Sequence, residues 1–188
     1  MHSIIYPITN NSSIKLIRSF CKIDLLEYYK SILHFQQDQF NYGGKVVKSP
    51  RLNCFLSDTI SDYWYSGQSH KALPIDEKTN KFLEFFSSKY HYNGIVFNLY
   101  RDGNDSIAWH SDDEKQINQE IPIASLSFGE SRIFEYRCND IIESIELNSG
   151  DLIFMQGKFQ QECLHRINKD KNRNNERLNL TFRNYYAR

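Results

Sequence analysis

Three residues in this sequence have the types and spacing of a metal site. His110 and Asp112 are separated by one residue. In an extended chain alternate side chains share a face, so these two point together while Ser111 points away. His165 offers a second imidazole from a much later segment. Two imidazoles and one carboxylate leave coordination positions open, which is the donor set of non-haem Fe(II) oxygenases. A His-x-Asp triplet is common on protein surfaces, so the assignment needs a second feature beside it.

That feature is the run from Arg177 to Arg183. At the two-residue period of a strand, Arg177, Asn179, Thr181 and Arg183 face one side, and Leu178, Leu180 and Phe182 face the other. A rise of ~3.3 Å per residue sets the two arginine Cα atoms roughly 20 Å apart, so inward-reaching guanidinium arms would bracket a small dicarboxylate. The planar guanidinium fork suits bidentate carboxylate binding. A dicarboxylate beside an iron with open positions is what 2-oxoglutarate requires, so Fe(II) and 2-oxoglutarate are the expected cofactors.

These residues must be held by a framework, and the chain supplies one. From Ile95 onward short β-rich runs follow one another at 95–100, 106–110, 121–128, 132–137, 141–147, 152–155, 163–167 and 178–185. Turn residues separate them, among them Asp102-Gly103-Asn104, Asn139-Asp140 and Asn148-Ser149-Gly150. Short strands at this spacing predict a sandwich or jelly roll. Upstream, Leu25, Leu26, Tyr29, Ile32 and Leu33 fall on one helix face, and a second helix is expected over 76–90, with Thr79, Phe82, Leu83, Phe86 and Tyr90 at the same period. Ile14 to Ile17 reads as a strand. Asn41-Tyr42-Gly43-Gly44-Lys45 reads as a hairpin turn followed by the strand-formers Val46 and Val47. The expected class is α+β, mainly β, with the N-terminal helices on one outer face. One domain over 1–188 is expected, with 1–94 as a helical recognition part and 95–188 as the catalytic core.

Composition bounds the rest. The 188 residues carry 12 Tyr, 13 Phe and 2 Trp, enough apolar surface for one core. With 23 basic and 23 acidic residues there is no global field toward nucleic acid or membrane, so any polyanion site must be local. No apolar run approaches the ~20 residues that span a bilayer. Cys21, Cys54, Cys138 and Cys163 form no Cys-x-x-Cys pair, which fits a reducing intracellular compartment, nuclear or cytoplasmic. The first 23 residues hold no acid, a faint presequence trait, but they read as folded.

The segments Phe97-Asn98-Leu99-Tyr100-Arg101-Asp102-Gly103, His110-Ser111-Asp112-Asp113-Glu114, Pro122 through Gly129, His165-Arg166-Ile167 and Arg177 through Arg183 occur in order. Together they resemble the AlkB family of alkylation-repair dioxygenases, and most of all its eukaryotic members that act on DNA. Pro50-Arg51 and Tyr63-Trp64-Tyr65-Ser66-Gly67 extend the resemblance upstream. It implies a double-stranded β-helix. It also implies that Asn98 and Tyr100 join Arg177 at the far carboxylate of 2-oxoglutarate, with Arg183 nearer the iron. The implied reaction hydroxylates an N-methyl group on a base such as N1-methyladenine or N3-methylcytosine, and the product falls apart to formaldehyde and the unmodified base.

The same resemblance places substrate contacts. An alkylated base must leave the stack to reach a buried metal. Tyr65 would pack on that base opposite His110, with Tyr63 on the same strand face, and Glu114 would accept from its exocyclic amine. Arg51 falls near the same site. The hairpin at Tyr42 and Gly43 matches the position where duplex-acting relatives insert a finger, although a glycine at the tip also suits a plain turn. Lys45, Lys48 and Arg51 are candidate phosphate contacts, as is the tract Arg166, Lys169, Lys171, Arg173 and Arg177, unless that tract is a solvated loop. His2, His34, His70 and His91 read as structural or exposed. The expected partner is alkylated DNA, single- or double-stranded, with RNA possible, no membrane, and a monomeric enzyme. The alternatives are RNA methyl marks or protein side chains as the target, or a catalytically silent binding protein.

Overall fold

The structure is a computed structural model that describes residues 3–65 and 68–186, without the side chains of Tyr42, Trp64 and Tyr65. The chain opens with strands β1 (Ser3–Pro7) and β2 (Ser12–Ile17), then helix α1 (Leu26–Ile32). A hairpin of β3 (Gln39–Tyr42) and β4 (Lys45–Lys48) follows. Next come β5 (Leu52–Leu56), β6 (Asp62–Tyr65), β7 (Gln68–Leu73) and helix α2 (Glu77–Ser87). The second half runs through β8 (Gly94–Tyr100), β9 (Ile107–His110), β10 (Ile123–Gly129), β11 (Arg132–Cys138), β12 (Ile141–Leu147) and β13 (Leu152–Gly157). A four-residue helix α3 (Phe159–Glu162) leads into β14 (Cys163–Ile167), and β15 (Arg177–Arg183) ends the series. All the strands expected after residue 94 are present, with ends shifted by at most about two residues, the ordinary uncertainty of element ends.

Nine strands form one sheet in the order β1-β2-β13-β10-β15-β8-β5-β7-β6, and four form a second in the order β12-β11-β14-β9. Side chains from both meet in one apolar cluster that includes Leu16, Phe55, Ile153, Phe134, Tyr136 and Ile167. Two facing, mainly antiparallel sheets of this kind are a jelly roll, the double-stranded β-helix that was expected. A second cluster lies on the other face of the large sheet, where α1 and α2 pack. Tyr29 meets Phe97 edge-on at 5.0 Å and Phe86 meets Phe182 at 5.2 Å. Asp76 caps α2 by accepting from the amides of Lys78 and Thr79.

This layering explains why every residue of β15 is buried. Leu178, Leu180 and Phe182 face the helices, while Arg177, Asn179, Thr181 and Arg183 face the space between the sheets. The polar side of the strand is therefore an inner wall. Solvent does not reach it.

The first 94 residues are less helical than expected. They give β1, β2, β5, β6 and β7 to the nine-stranded sheet, so position 94 is no break in the fold. Gln68–Leu73 lacks apolar alternation, and it pairs in parallel with β5 and antiparallel with β6, pairings that local pattern does not reveal. The hairpin turn is as expected, with Gly43 and Gly44 both at positive φ, +57° and +79°. The cysteines differ from the sequence reading. Cys138 and Cys163 stand opposite each other on β11 and β14 and form a disulfide, whereas Cys21 and Cys54 are free.

Candidate active site

The metal-donor residues sit on neighbouring strands of the smaller sheet. His110 ends β9 directly opposite His165 on β14, and their rings lie 4.1 Å apart. Asp112 follows two residues after His110 and is 1% exposed. The donor atoms of all three lie within 4.8 Å of one another. His110 Nδ1 contacts the Ala108 carbonyl at 2.9 Å. A carbonyl only accepts, so Nδ1 carries the proton and Nε2 keeps its lone pair for a metal. Gln160 of α3 accepts from the Asp112 amide at 2.9 Å, which holds the carboxylate's backbone.

Electrostatics prepare the same residues for a cation. Burial pushes the His165 imidazole down to about 3, with His110 adding to the effect, so His165 is neutral at physiological pH. Burial lowers His110 as well. Burial, the largest single influence, would raise the Asp112 carboxyl, but the Arg183 guanidinium leads the neighbouring groups that together hold it well below the usual carboxylate range. The site thus offers two neutral imidazoles and one carboxylate, the protonation states a metal needs.

The facing wall belongs to the large sheet. Arg177 stands opposite Tyr100 and Asn179 opposite Asn98, with Ser127 on the far side of Asn179. Arg177 donates to the Ser127 hydroxyl at 2.9 Å and stacks over the Tyr100 ring at 5.1 Å. Thr181 donates to Asn179 Oδ1, and Asn179 donates to Ser125, so those two are satisfied within the wall. Arg183 lies nearer the metal donors, with Nη2 2.7 Å from Asp112 Oδ1. Asn98, Tyr100, Arg177, Asn179, Thr181 and Arg183 all line one cavity with His110, Asp112 and His165.

The expected substrate residues divide. Arg51 and Tyr63 line the cavity. Arg51 Nε donates to Asn98 Oδ1 at 2.8 Å, which sets it against the wall of Arg177. The Tyr63 hydroxyl donates to Glu114 at 2.7 Å and accepts from Arg183 at 2.9 Å. Glu114 is thereby tied to the rim of the metal group. The side chains of Tyr65 and Tyr42 lie outside what is described. Gly43, Lys45 and Lys48 are exposed on the separate β3–β4 sheet, away from the cavity lining. In the later basic tract Lys169 and Lys171 are exposed. Arg166 pairs with Glu135, Arg173 pairs with Glu146 and Asp170, and Arg177 is buried.

Several residues that shape the site carry no sequence signal. Arg132 is 2% exposed and donates to the backbone carbonyls of Asp102, Asp105 and Asn168. It lies 5.6 Å from the Tyr100 ring centroid, so Tyr100 is set between two guanidinium groups. His70 lines the cavity although its sequence context reads as structural. Asp38 packs behind it. Spacing could not have found either, because His70 reaches the cavity by pairing with Tyr63 of β6, and Asp38 is held there by Asn53.

The residues fit Fe(II) and 2-oxoglutarate on the structure's own terms. Asp112 Oδ2, His165 Nδ1, Arg177 Nε and Nη1, Arg183 Nε and Glu114 Oε2 are all buried without a hydrogen-bond partner. Each such atom costs about 1–3 kcal/mol. Metal acceptors, anion-seeking donors and a spare carboxylate oxygen, gathered at one site, mark groups arranged for ligands.

Known proteins are similar to this chain. A human protein named alpha-ketoglutarate-dependent dioxygenase alkB homolog 3 is 40% identical over 155 residues, covering 75% of this chain and 54% of its own length. The Bos taurus protein of the same name is 40% identical over 106 residues, covering 50% of this chain and 37% of its own. Human DNA oxidative demethylase ALKBH2 is 29% identical over 153 residues, covering 74% of this chain and 58% of its own. The chain thus spans about half or less of the length of the curated relatives it matches. A solved structure, that of OsALKBH1, shares the fold with a TM-score of 0.68 at 16% identity, covering 97% of this chain and 100% of its own. Residues 16–183 match the model of the 2OG-Fe(II) oxygenase superfamily, and the chain belongs to that family.

Proposed function

We propose that this chain oxidatively demethylates N-alkylated bases in nucleic acid, such as N1-methyladenine and N3-methylcytosine, with DNA favoured over RNA. The observation that carries the reading is the one cavity that holds the His110, Asp112 and His165 donors, the unpartnered Arg177 and Arg183 donors, and Tyr63, whose hydroxyl donates to Glu114. Similarity to proteins named as an alkB homolog and as a DNA oxidative demethylase supports the choice of substrate.

His110, Asp112 and His165 would hold Fe(II). Arg177, with Asn98 and Tyr100 beside it, would take the far carboxylate of 2-oxoglutarate, and Arg183 would sit nearer the metal. Asn179 and Thr181 stiffen that wall through their mutual hydrogen bond. Fe(II), O2 and 2-oxoglutarate, when bound, supply an oxidant that hydroxylates an N-methyl group, giving succinate, CO2 and a hydroxymethyl product that loses formaldehyde. Glu114 keeps a buried acceptor oxygen that suits an exocyclic amine. Tyr63 and Tyr65 both belong to β6, and an extruded base would need stacking partners of this kind. Lys45, Lys48 and the hairpin tip are candidate contacts to the backbone of the strand.

The reading treats 1–188 as one domain acting as a monomer inside the cell, in nucleus or cytoplasm. Among the described residues no helix is long and apolar enough to cross a membrane. The test is turnover of methylated oligonucleotides, single- and double-stranded and DNA and RNA, followed by loss of the methyl group in the mass spectrum. Succinate formation without demethylation of any of them would leave an oxygenase with another target.

A further inference from the structure

A polar row crosses the inner face of the nine-stranded sheet. Ser127 stands opposite Asn179, Asn179 opposite Asn98, and Asn98 opposite Asn53. On its other edge Asn53 is bridged to Gln36, while His70 on β7 stands opposite Tyr63 of β6. The row therefore runs from the Arg177 wall to Asn53, whose side chain is linked to His70 through Asp38, and both Asn53 and His70 line the cavity.

Asp38 lies behind His70. The two side chains are 5% and 11% exposed, and His70 Nε2 faces Asp38 Oδ2 at 3.7 Å. Asn53 Nδ2 donates to the same carboxylate and anchors it. The 3.7 Å gap is too long for a hydrogen bond, and Nε2 is buried with no other partner. A carboxylate facing one ring nitrogen makes that nitrogen the N–H side, so Nδ1 is the acceptor the ring can offer.

Tyr63 connects this dyad to the metal rim. Its ring is 6.1 Å from the His70 ring, and its hydroxyl holds Glu114, whose Oε2 is buried and unpartnered. His70 Nδ1 and Glu114 Oε2 are thus acceptors on the two residues that contact Tyr63, one at its ring and one at its hydroxyl. An amine carries two N–H donors and satisfies both. A carbonyl in its place sets lone pair against lone pair.

We propose that His70, backed by Asp38, is a specificity-determining residue that accepts a hydrogen bond from the exocyclic amine of the bound base. The cavity thereby takes alkylated adenine and cytosine and rejects alkylated bases with a carbonyl at that position. This inference rests on the nucleic-acid reading above.

The test compares N3-methylcytosine with N3-methyluracil in one oligonucleotide sequence. This exchanges the amine for a carbonyl and also removes the positive charge of the cytosine base, so the change of their ratio on mutation is the readout. The ratio of their kcat/KM values is measured for the wild type, His70→Ala and Asp38→Asn, with thermal melts to confirm folding. The expected result is a ratio lowered about tenfold in His70→Ala, the worth of one hydrogen bond lost from a desolvated site. Asp38→Asn should lower it in the same direction, because an amide no longer fixes the ring proton. If His70→Ala does not fold, Asp38→Asn decides. A folded variant with the wild-type ratio overturns the inference, and so does an equal fall on both substrates, which is what a merely structural role gives. A wild type inert on both overturns the nucleic-acid reading itself, whereas an active wild type with unchanged ratios overturns this inference alone.

Discussion

Arg183 Nη2 lies 2.7 Å from Asp112 Oδ1, with the two side chains 6% and 2% exposed. A metal donor is thus also half of a buried ion pair. Removing one member of such a pair leaves an uncompensated charge and costs about 3–5 kcal/mol. Asp112→Ala should therefore lower the urea midpoint of the metal-free protein well below that of His165→Ala, although both should lose succinate formation. Equal midpoints for the two variants would show that the pair contributes nothing to the fold.

Metal binding can be read without turnover. A redox-silent probe, Mn(II), should raise the melting temperature of the wild type. At about 100 times Kd the gain is ~2.7 kcal/mol, because only the folded chain presents the three donors together. His165→Ala should lose that shift. A shift of the same size in the variant would move the metal elsewhere.

The cosubstrate wall is tested through Arg177. Its Nε and Nη1 are buried without partners. Arg177→Ala should raise the 2-oxoglutarate KM roughly 10- to 100-fold, the worth of a desolvated charge-assisted contact. Arg177→Lys should recover only part of it, since an ammonium has no planar fork. Unchanged KM in both would remove the arginine from the cosubstrate site.

Arg132 acts one step further back. It ties the carbonyls of Asp102, Asp105 and Asn168 together and packs on Tyr100. Arg132→Leu leaves those carbonyls short of a donor and should destabilise the protein by roughly 3 kcal/mol or more. The 2-oxoglutarate KM should rise as well, by less than in Arg177→Ala, because Tyr100 loses its support. A stable variant with normal KM would contradict this placement.

The metal donors and the arginine strand were legible because their chemistry is local. His110 and Asp112 share a face by alternation, and β15 shows one polar and one apolar side within seven residues. The later strands were legible for the same reason. What escaped depends on pairing between distant segments. Asp38 and His70 meet because the segment before β3 is bridged to β5 at Asn53 while β7 pairs with β6, and Gly103 is fixed by its approach to the Asp170 backbone oxygen, where a Cβ would collide. Upstream of residue 94 the helical period and the β3–β4 hairpin are local signals, whereas β7 lacks alternation and is defined by its partners β5 and β6.

The central claim is that the cavity removes methyl groups from nucleic-acid bases. The most direct measurement is the mass spectrum of an oligonucleotide carrying one N1-methyladenine or one N3-methylcytosine after incubation with the protein, Fe(II), O2 and 2-oxoglutarate, with formaldehyde and succinate measured in the same tube. The account predicts conversion to the unmethylated strand, with formaldehyde and base product in equal amounts and none from His110→Ala. Succinate without any change in oligonucleotide mass, for DNA and RNA and for single and double strands alike, would contradict it.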